Sequence, residues 1–242
     1  FNYGTTLELK GSCTLSGHVN MLSGSQLSFG DTDLTDVTFL HGDISFNETL
    51  TVTLSNVENQ QNNILLYVTG DVEGYSVGNL TWVKNCLVLN YNKDTFPSYV
   101  NGDKKYTERL TDAISHHFYN HIWFDYNQTV DDLGGAIYAP EVPVSLALNG
   151  KVEFSSNTVK NKTAAQGGAI YGSLISLRHN DEVIFRGNTV TSTTLGVYGV
   201  HHGDGGAIYG SGTVSDNASV LFTQNAAQSE DDSRGGAVFV DG

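Results

Sequence analysis

The sequence predicts an all-β chain: a right-handed parallel β-helix, with a small non-repeat insertion around residues 61–121. Three observations predict it. Helix formers are scarce and Gly, Asn, Ser, Thr and Val recur, with 27 Gly in 242 residues, which favours strands and turns. A run of Gly-Gly-Ala followed by Ile or Val appears four times, opening at Gly134-Gly135, Gly167-Gly168, Gly205-Gly206 and Gly235-Gly236. A second pattern, Phe-x-x-Asn, alternates with it at Phe124–Asn127, Phe154–Asn157, Phe185–Asn188 and Phe222–Asn225. Two alternating motifs at a near-fixed period mark a stack of repeats rather than a closed core.

Residues 1–60 read as N-terminal β-helix rungs. The stretches TLELKG, CTLSGHVNM, SQLSFGD, VTFLHGDISFN and TLTVTLSNV alternate apolar and polar residues and are punctuated by Gly, Ser, Asn and Asp. Residues 61–121 form a strand meander and a short helical insertion. Three longer strands fit residues 61–92. Leu110, Ile114 and Phe118 then recur at helical spacing, with Thr107 as the N-cap.

Residues 122–242 form the motif-bearing rungs. Ile122, Val152, Val183 and Val220 each stand two before the Phe of their copy, so the two side chains share one face of a strand. Asn149, Asn180 and Asn217 stand five before Phe154, Phe185 and Phe222. From Gly-Gly to the next Phe takes 20, 18 and 17 residues, whereas Phe to the next Gly-Gly takes 10, 13, 20 and 13. Steady strands with one elastic loop are the habit of a solenoid. Its stack places Phe over Phe, and Asn at the corners takes up left-handed backbone and bonds to the Asn of the next rung. Gly-Gly supplies a sharp corner where a Cβ would clash. A phosphate cradle would need spaced glycines or a following Lys-Ser/Thr, which these copies lack.

Function classes narrow as follows. A net charge of −14 and the lack of any Lys/Arg run argue against nucleic acid as a partner. No apolar run reaches the length of a membrane span. Cys13 and Cys86 stand apart, as free thiols or as one disulfide, and there is no CxxC zinc signature. Acidic residues gather in the elastic loops: Asp131 and Asp132, Asp204, and Glu230 to Asp232. They are solubilising loop residues, or oxygen ligands for Ca²⁺, or an acid–base pair for glycan cleavage. His117 and His121 have helical metal-pair spacing without a third ligand. The longest loop, Thr191 to Asp204, is the candidate contact surface, with Tyr198, His201, His202 and Asp204 in or beside its tip. No nucleophile elbow occurs. The expectation is a protein without catalytic residues or a required cofactor. The chain starts at Phe1 and stops inside a repeat, and so reads as a piece of something longer.

The segments Gly134–Ile137, Gly167–Ile170, Gly205–Ile208 and Gly235–Val238, with the four Phe-x-x-Asn copies, resemble the repeats of the chlamydia-type polymorphic outer-membrane proteins. The resemblance covers about Ile122 to Gly242. Chlamydial members are often cysteine-rich, whereas this chain has two Cys. The resemblance implies an autotransporter passenger domain, secreted and displayed on the bacterial surface, and anchored in the outer membrane through a part outside this piece. It further implies an adhesin or stalk whose partner is a protein or glycan on a host or neighbouring cell. The alternative is a carbohydrate-active β-helix enzyme, a hydrolase or lyase.

Overall fold

The computed structural model describes every residue except 12, 33–36, 47–50, 58, 97–100, 194–201, 231 and 241–242. The described residues contain strands and turns and no helix. The chain divides into two compact units, Phe1–Ser98 and Tyr99–Gly242.

In the second unit, the chain passes repeatedly through four parallel ladders. The first holds Asp103–Tyr106, His121–Asp125, Lys151–Ser155, Glu182–Arg186 and Ser219–Thr223, side by side in that order. The second holds Gln128–Val130, Thr158–Asn161, Thr189–Ser192 and Ala226–Gln228. The third holds Ala164–Gln166, His202–Asp204 and Asp232–Arg234. The fourth runs Ile114–His117, Val144–Ala147, Ile170–Arg178, Ile208–Ser215 and Val238–Phe239, with Ile137–Ala139 also paired to Ile170–Arg178. Parallel neighbours separated by one repeat in sequence are the pairing that a parallel β-helix requires.

The register sets like on like. Phe124, Phe154, Phe185 and Phe222 are ladder partners. Their rings stack at centroid separations of 4.5, 4.8 and 4.8 Å, and the first three are fully buried. Ile122, Val152 and Val183 form the column beside them, and Ile137, Ile170 and Ile208 line the fourth ladder.

Two columns of asparagine close the corners. The backbone N–H and the Nδ2 of Asn157 both donate to Asn188 Oδ1, at 3.1 and 2.8 Å, and Nδ2 also donates to the carbonyl of Phe124 at 3.0 Å. Asn188 repeats this toward Asn225 and Phe154. Asn149, Asn180 and Asn217 build the same pattern at the other corner. The left-handed backbone expected of these asparagines falls instead on the residue before each. Tyr126, Ser156 and Gln224 in one column, and Leu148, His179 and Asp216 in the other, have φ between 55 and 58°. The preceding residue bends the chain, which leaves each Asn side chain aligned with the stack for its three bonds.

The paired glycines divide the work of the third corner. The first of each pair, such as Gly167 at φ +64°, is left-handed. The second lies against the next tier: a Cβ on Gly135, Gly168 or Gly206 would stand 2.1 Å from the carbonyl oxygen of Gly168, Gly206 or Gly236.

The helix expected near residues 107–121 is replaced by strands. Ile114 lies in Ile114–His117, Leu110 bridges to Ile137, and Phe118 turns a corner at φ 58°. Their spacing of four matches a helical face, but Leu110 and Ile114 both pair along the fourth ladder and Phe118 turns the corner after it, so tertiary pairing overrides the local period.

The first unit has three ladders. One joins Thr6–Lys10, Gln26–Thr32 and Thr51–Val57, and another joins Val19–Met21, Ile44–Phe46 and Val72–Glu73. The central one starts with parallel Thr14–Ser16, Thr38–His41 and Asn63–Val68, then adds Cys86–Leu89 and Leu80–Val83 antiparallel. Both cysteines are free. Cys13 sits beside Thr38, and burial pushes the Cys86 thiol far up.

Candidate functional site

Of the candidate contact loop, Tyr198 and His201 lie outside the described residues. Its far end is the strand His202–Asp204, held between Ala164–Gln166 and Asp232–Arg234. Asp204 is fully buried and accepts from Arg234 Nε and Nη2, each at 2.9 Å, and from Gln166 Nε2 at 3.2 Å. His202 Nδ1 stands 3.6 Å from Asp232. The Asp204 carboxylate is therefore spent inside the stack. A forked, two-point pair holds Arg234 in one geometry and aligns the third ladder.

Of the other loop acids, Asp131, Asp132 and Asp232 also face cations, and Asp231 lies outside the described residues. Asp131 is 3.5 Å from Lys162, and Asp132 is 2.8 Å from Arg109. The Arg109 hydrogen bond holds the Asp132 carboxyl below the usual carboxylate range, and Arg178 does the same to Asp216. Burial works to raise Glu153, but its bonds to Lys151 and Ser155 prevail and hold it low. A general acid needs the opposite shift. Among the described residues, no three His, Cys, Asp or Glu side chains are grouped to hold a metal ion.

The histidines spaced for a helical pair are on two different ladders. His117 lies in the fourth ladder, where its Nε2 is 3.2 Å from Ser115 Oγ. His121 lies in the first, packed on Trp123 with ring centroids 4.3 Å apart and 3.4 Å from Glu153. His116 is hydrogen-bonded to the phenol of Tyr106 at 2.8 Å. Burial first, and then the charge of Lys104, pushes the His116 imidazole down to about 4.

A surface absent from the sequence expectation runs along the outside of the fourth ladder. The aromatic residue after each Gly-Gly-Ala-Ile/Val is Tyr138, Tyr171, Tyr209 or Phe239. These stack with centroids 5.4, 5.2 and 5.4 Å apart, and the three tyrosines are half-buried. Arg109 lies over the first ring at 5.4 Å and Arg234 over the last at 4.6 Å. Beside the column is a groove of about 180 Å³, lined by Pro140, Tyr171, Ser173, Tyr209 and Ser211 with two glycines. Ser211 Oγ donates to the Ser173 carbonyl at 2.8 Å, and Ser173 Oγ donates to the Pro140 carbonyl. Tyrosine, serine and glycine on a rigid frame are the residues of adaptable recognition surfaces. The tyrosines are visible in the text as the fifth letter of each repeat. The arginines come from elsewhere in the chain and carry no local signal.

Residues 151–173 and 182–211 match the family model of the Chlamydia polymorphic membrane protein repeat. No curated protein and no solved structure matches the chain. Each matched segment begins on a first-ladder strand, passes the Asn corner and the Gly-Gly corner, and ends just past the outward tyrosine, at Ser173 or Ser211. The two matched segments therefore follow the same course through the ladders, and in them the chain is similar to the Chlamydia polymorphic membrane protein repeat.

Proposed function

We propose that the chain is a non-catalytic surface protein, whose second unit is a right-handed parallel β-helix that presents the outward tyrosine column to a partner. Right-handed crossovers are the rule for parallel strands joined within a sheet. The observation that carries the reading is the regular Tyr138–Tyr171–Tyr209 column with its serine- and glycine-lined groove, borne on repeats of a surface-protein family. In this reading the chain is part of an autotransporter passenger, displayed on the bacterial surface and held at the outer membrane through another part of the protein. It acts as an adhesin toward a protein or glycan of a host or neighbouring cell, and as the stalk that holds the contact surface away from the membrane. The reading uses no cofactor and no Ca²⁺, and it replaces the Thr191–Asp204 loop by the tyrosine column as the main contact. The lowered carboxylates of Asp132, Glu153 and Asp216 weigh against the rival reading of a carbohydrate-cleaving enzyme.

The test is binding of the purified chain to host cells and to a glycan array, with Tyr171→Ser and Tyr209→Ser combined in one variant. The expected result is saturable binding that the double variant loses while its thermal transition stays cooperative. Binding that survives the double variant sinks the tyrosine column as the contact. No binding by either form sinks the adhesin reading and leaves a stalk.

A further inference from the structure

The first unit contains an unfinished ladder. Thr6–Lys10, Gln26–Thr32 and Thr51–Val57 pair in that order and stop, while the central ladder goes on for two more strands after Asn63–Val68. Among the described residues no further strand continues the two inward columns of the unfinished ladder. In Leu7–Leu27–Val52 and Leu9–Phe29–Leu54 the middle residues are fully buried, yet Leu54 is 41% exposed. The cause is local. After Asn63–Val68 the chain folds back as the antiparallel pair Leu80–Val83 and Cys86–Leu89, and no described strand follows Thr51–Val57 in its ladder.

The open edge faces a cleft. Thr51 donates its N–H back to Ser25, so the alternation of a parallel pair turns the N–H and C=O groups of Val52 and Leu54 toward the unpaired side. Beside them is a cleft of about 570 Å³ with Val52, Leu54, Val57, Leu80 and Leu89 on its walls and Asn79 at its rim. The rim is ordered by side-chain bonds: Asn56 Nδ2 donates to Asp31 at 2.9 Å, and Asn90 Nδ2 donates to Asn59 at 2.7 Å. The unit also has a strong charge. Residues 1–98 hold three basic residues against ten acidic ones, a net of −7.

We propose that Thr51–Val57 and the cleft beside it bind an extended segment of a partner protein by strand addition. The segment pairs its backbone with Val52 and Leu54, seats alternate apolar side chains in the cleft, and carries basic residues at its flanks. Each part follows from the surface offered. A row of peptide N–H and C=O groups is matched by another peptide backbone, not by a sugar chain. Alternate side chains of a strand fall on one face, which suits a cleft on one side of the edge. The unit's net charge of −7 favours a basic partner and opposes a second copy of this chain, whose net charge is −14. This site is separate from the tyrosine column and stands or falls without it.

The probe is a fluorescent peptide of alternating valine and threonine with two lysines at each end, titrated into the full chain. Binding is expected to saturate and to weaken as salt is added. It is expected to disappear when alternate amides of the peptide are N-methylated, and to weaken when glutamates replace the lysines. Leu54→Asn removes part of the apolar wall at a half-open position that tolerates a polar side chain, and is expected to weaken binding about tenfold. The proposal is overturned by absence of saturable binding, by equal binding of the N-methylated peptide, or by a Leu54→Asn chain that binds as the parent does. Sedimentation of the chain alone supplies one further outcome. A dimer lost in Leu54→Asn would give the edge to a second copy and overturn the basic partner.

Discussion

The two units solve the same problem with different materials. In the second unit the motif columns repeat from tier to tier: Phe on Phe, Ile on Ile, Asn on Asn. In the first unit the columns are only similar in kind. Leu9 lies against Phe29 and Phe29 against Leu54, and the ladder corners are fixed by single bonds such as Gly42 N–H to Thr69 Oγ1 at 3.1 Å and Asp71 N–H to Asp43 Oδ1 at 2.8 Å. An aliphatic column accepts any side chain of about the right volume. A ring stack or an amide ladder accepts only its own kind, because each member supplies the partner the next one needs. The second unit is therefore periodic in its letters, and the first is periodic only in its backbone.

The largest test of this contrast is in the phenylalanine column. Phe185→Ala is expected to cost about 3–5 kcal/mol, since the site is fully buried and the rings above and below hold the cavity open. Phe29→Ala should cost as much in the first unit, where Phe29 is equally buried. Substitution by Leu separates the two. Phe185→Leu also loses two ring contacts, each about 0.5–1.5 kcal/mol beyond burial, whereas Phe29 has leucines as its ladder neighbours. Hydrogen exchange read separately in each unit measures both. Equal costs for the two Leu variants would show that the stacked rings contribute area alone.

Next in size is the glycine corner, which both units share. Gly168→Ala puts a Cβ 2.1 Å from the Gly206 carbonyl oxygen, and two backbones must part, at about 2–3 kcal/mol. Gly42 meets Gly17 in the same way, with its Cβ at 2.0 Å from the Gly17 carbonyl oxygen. Gly236, by contrast, has nothing within 4 Å of its Cβ position, so Gly236→Ala should change the melting temperature hardly at all. A destabilised Gly236→Ala would mean that the close approach is not the reason for the second glycine.

How much of this could be read in the letters follows from the same contrast. The strands, and the columns through Phe154 and Asn157, are legible because the chemistry forces repetition. The strand at Ile114–His117 is not, since three apolar residues four apart satisfy a helix as well as a ladder and its corner. The Gly17–Gly42 contact is hidden because a single glycine in a turn carries no mark of close approach. The role of Asp204 is hidden as well, since its partners Gln166 and Arg234 are each a full circuit away. The open edge at Thr51–Val57 depends on a strand that does not arrive, which no local pattern records.

The asparagine ladder gives a smaller and sharper test. Asn188→Ala removes the acceptor for Asn157 N–H and Nδ2 and the donor to the Phe154 carbonyl, all within the buried stack. Leaving those groups unpaired is expected to cost about 2 kcal/mol. Asn225→Ala strands the corresponding groups of Asn188 and Phe185 from a half-buried position, where water replaces part of the loss, and should cost about half as much. Thermal unfolding of the two variants compares them directly. If they cost the same, the ladder is stabilised by pairing alone and burial adds nothing.

The smallest effect concerns acid, and it too sets one unit against the other. His116 is held neutral by burial and by Lys104, with its pKa lowered from 6.5 to about 4. The unfolded chain therefore binds the proton first as pH falls. Stability of the second unit is unaffected above about pH 6.5, declines as pH falls from there toward 4, and stops declining from this source below it. For a half-buried imidazole the loss is on the order of 1 kcal/mol, after allowance for solvent screening. His116→Gln keeps a group able to bond the Tyr106 phenol but cannot titrate, so its stability should be flatter than the parent's across that window. In the first unit burial also lowers His41, so that unit loses stability in the same direction on acidification. Unfolding followed in each unit at pH 7 and pH 4.5 compares the two slopes. A His116→Gln chain with the parent's slope in the second unit would assign the acid sensitivity to another histidine, with His121, also lowered by burial, the next to replace.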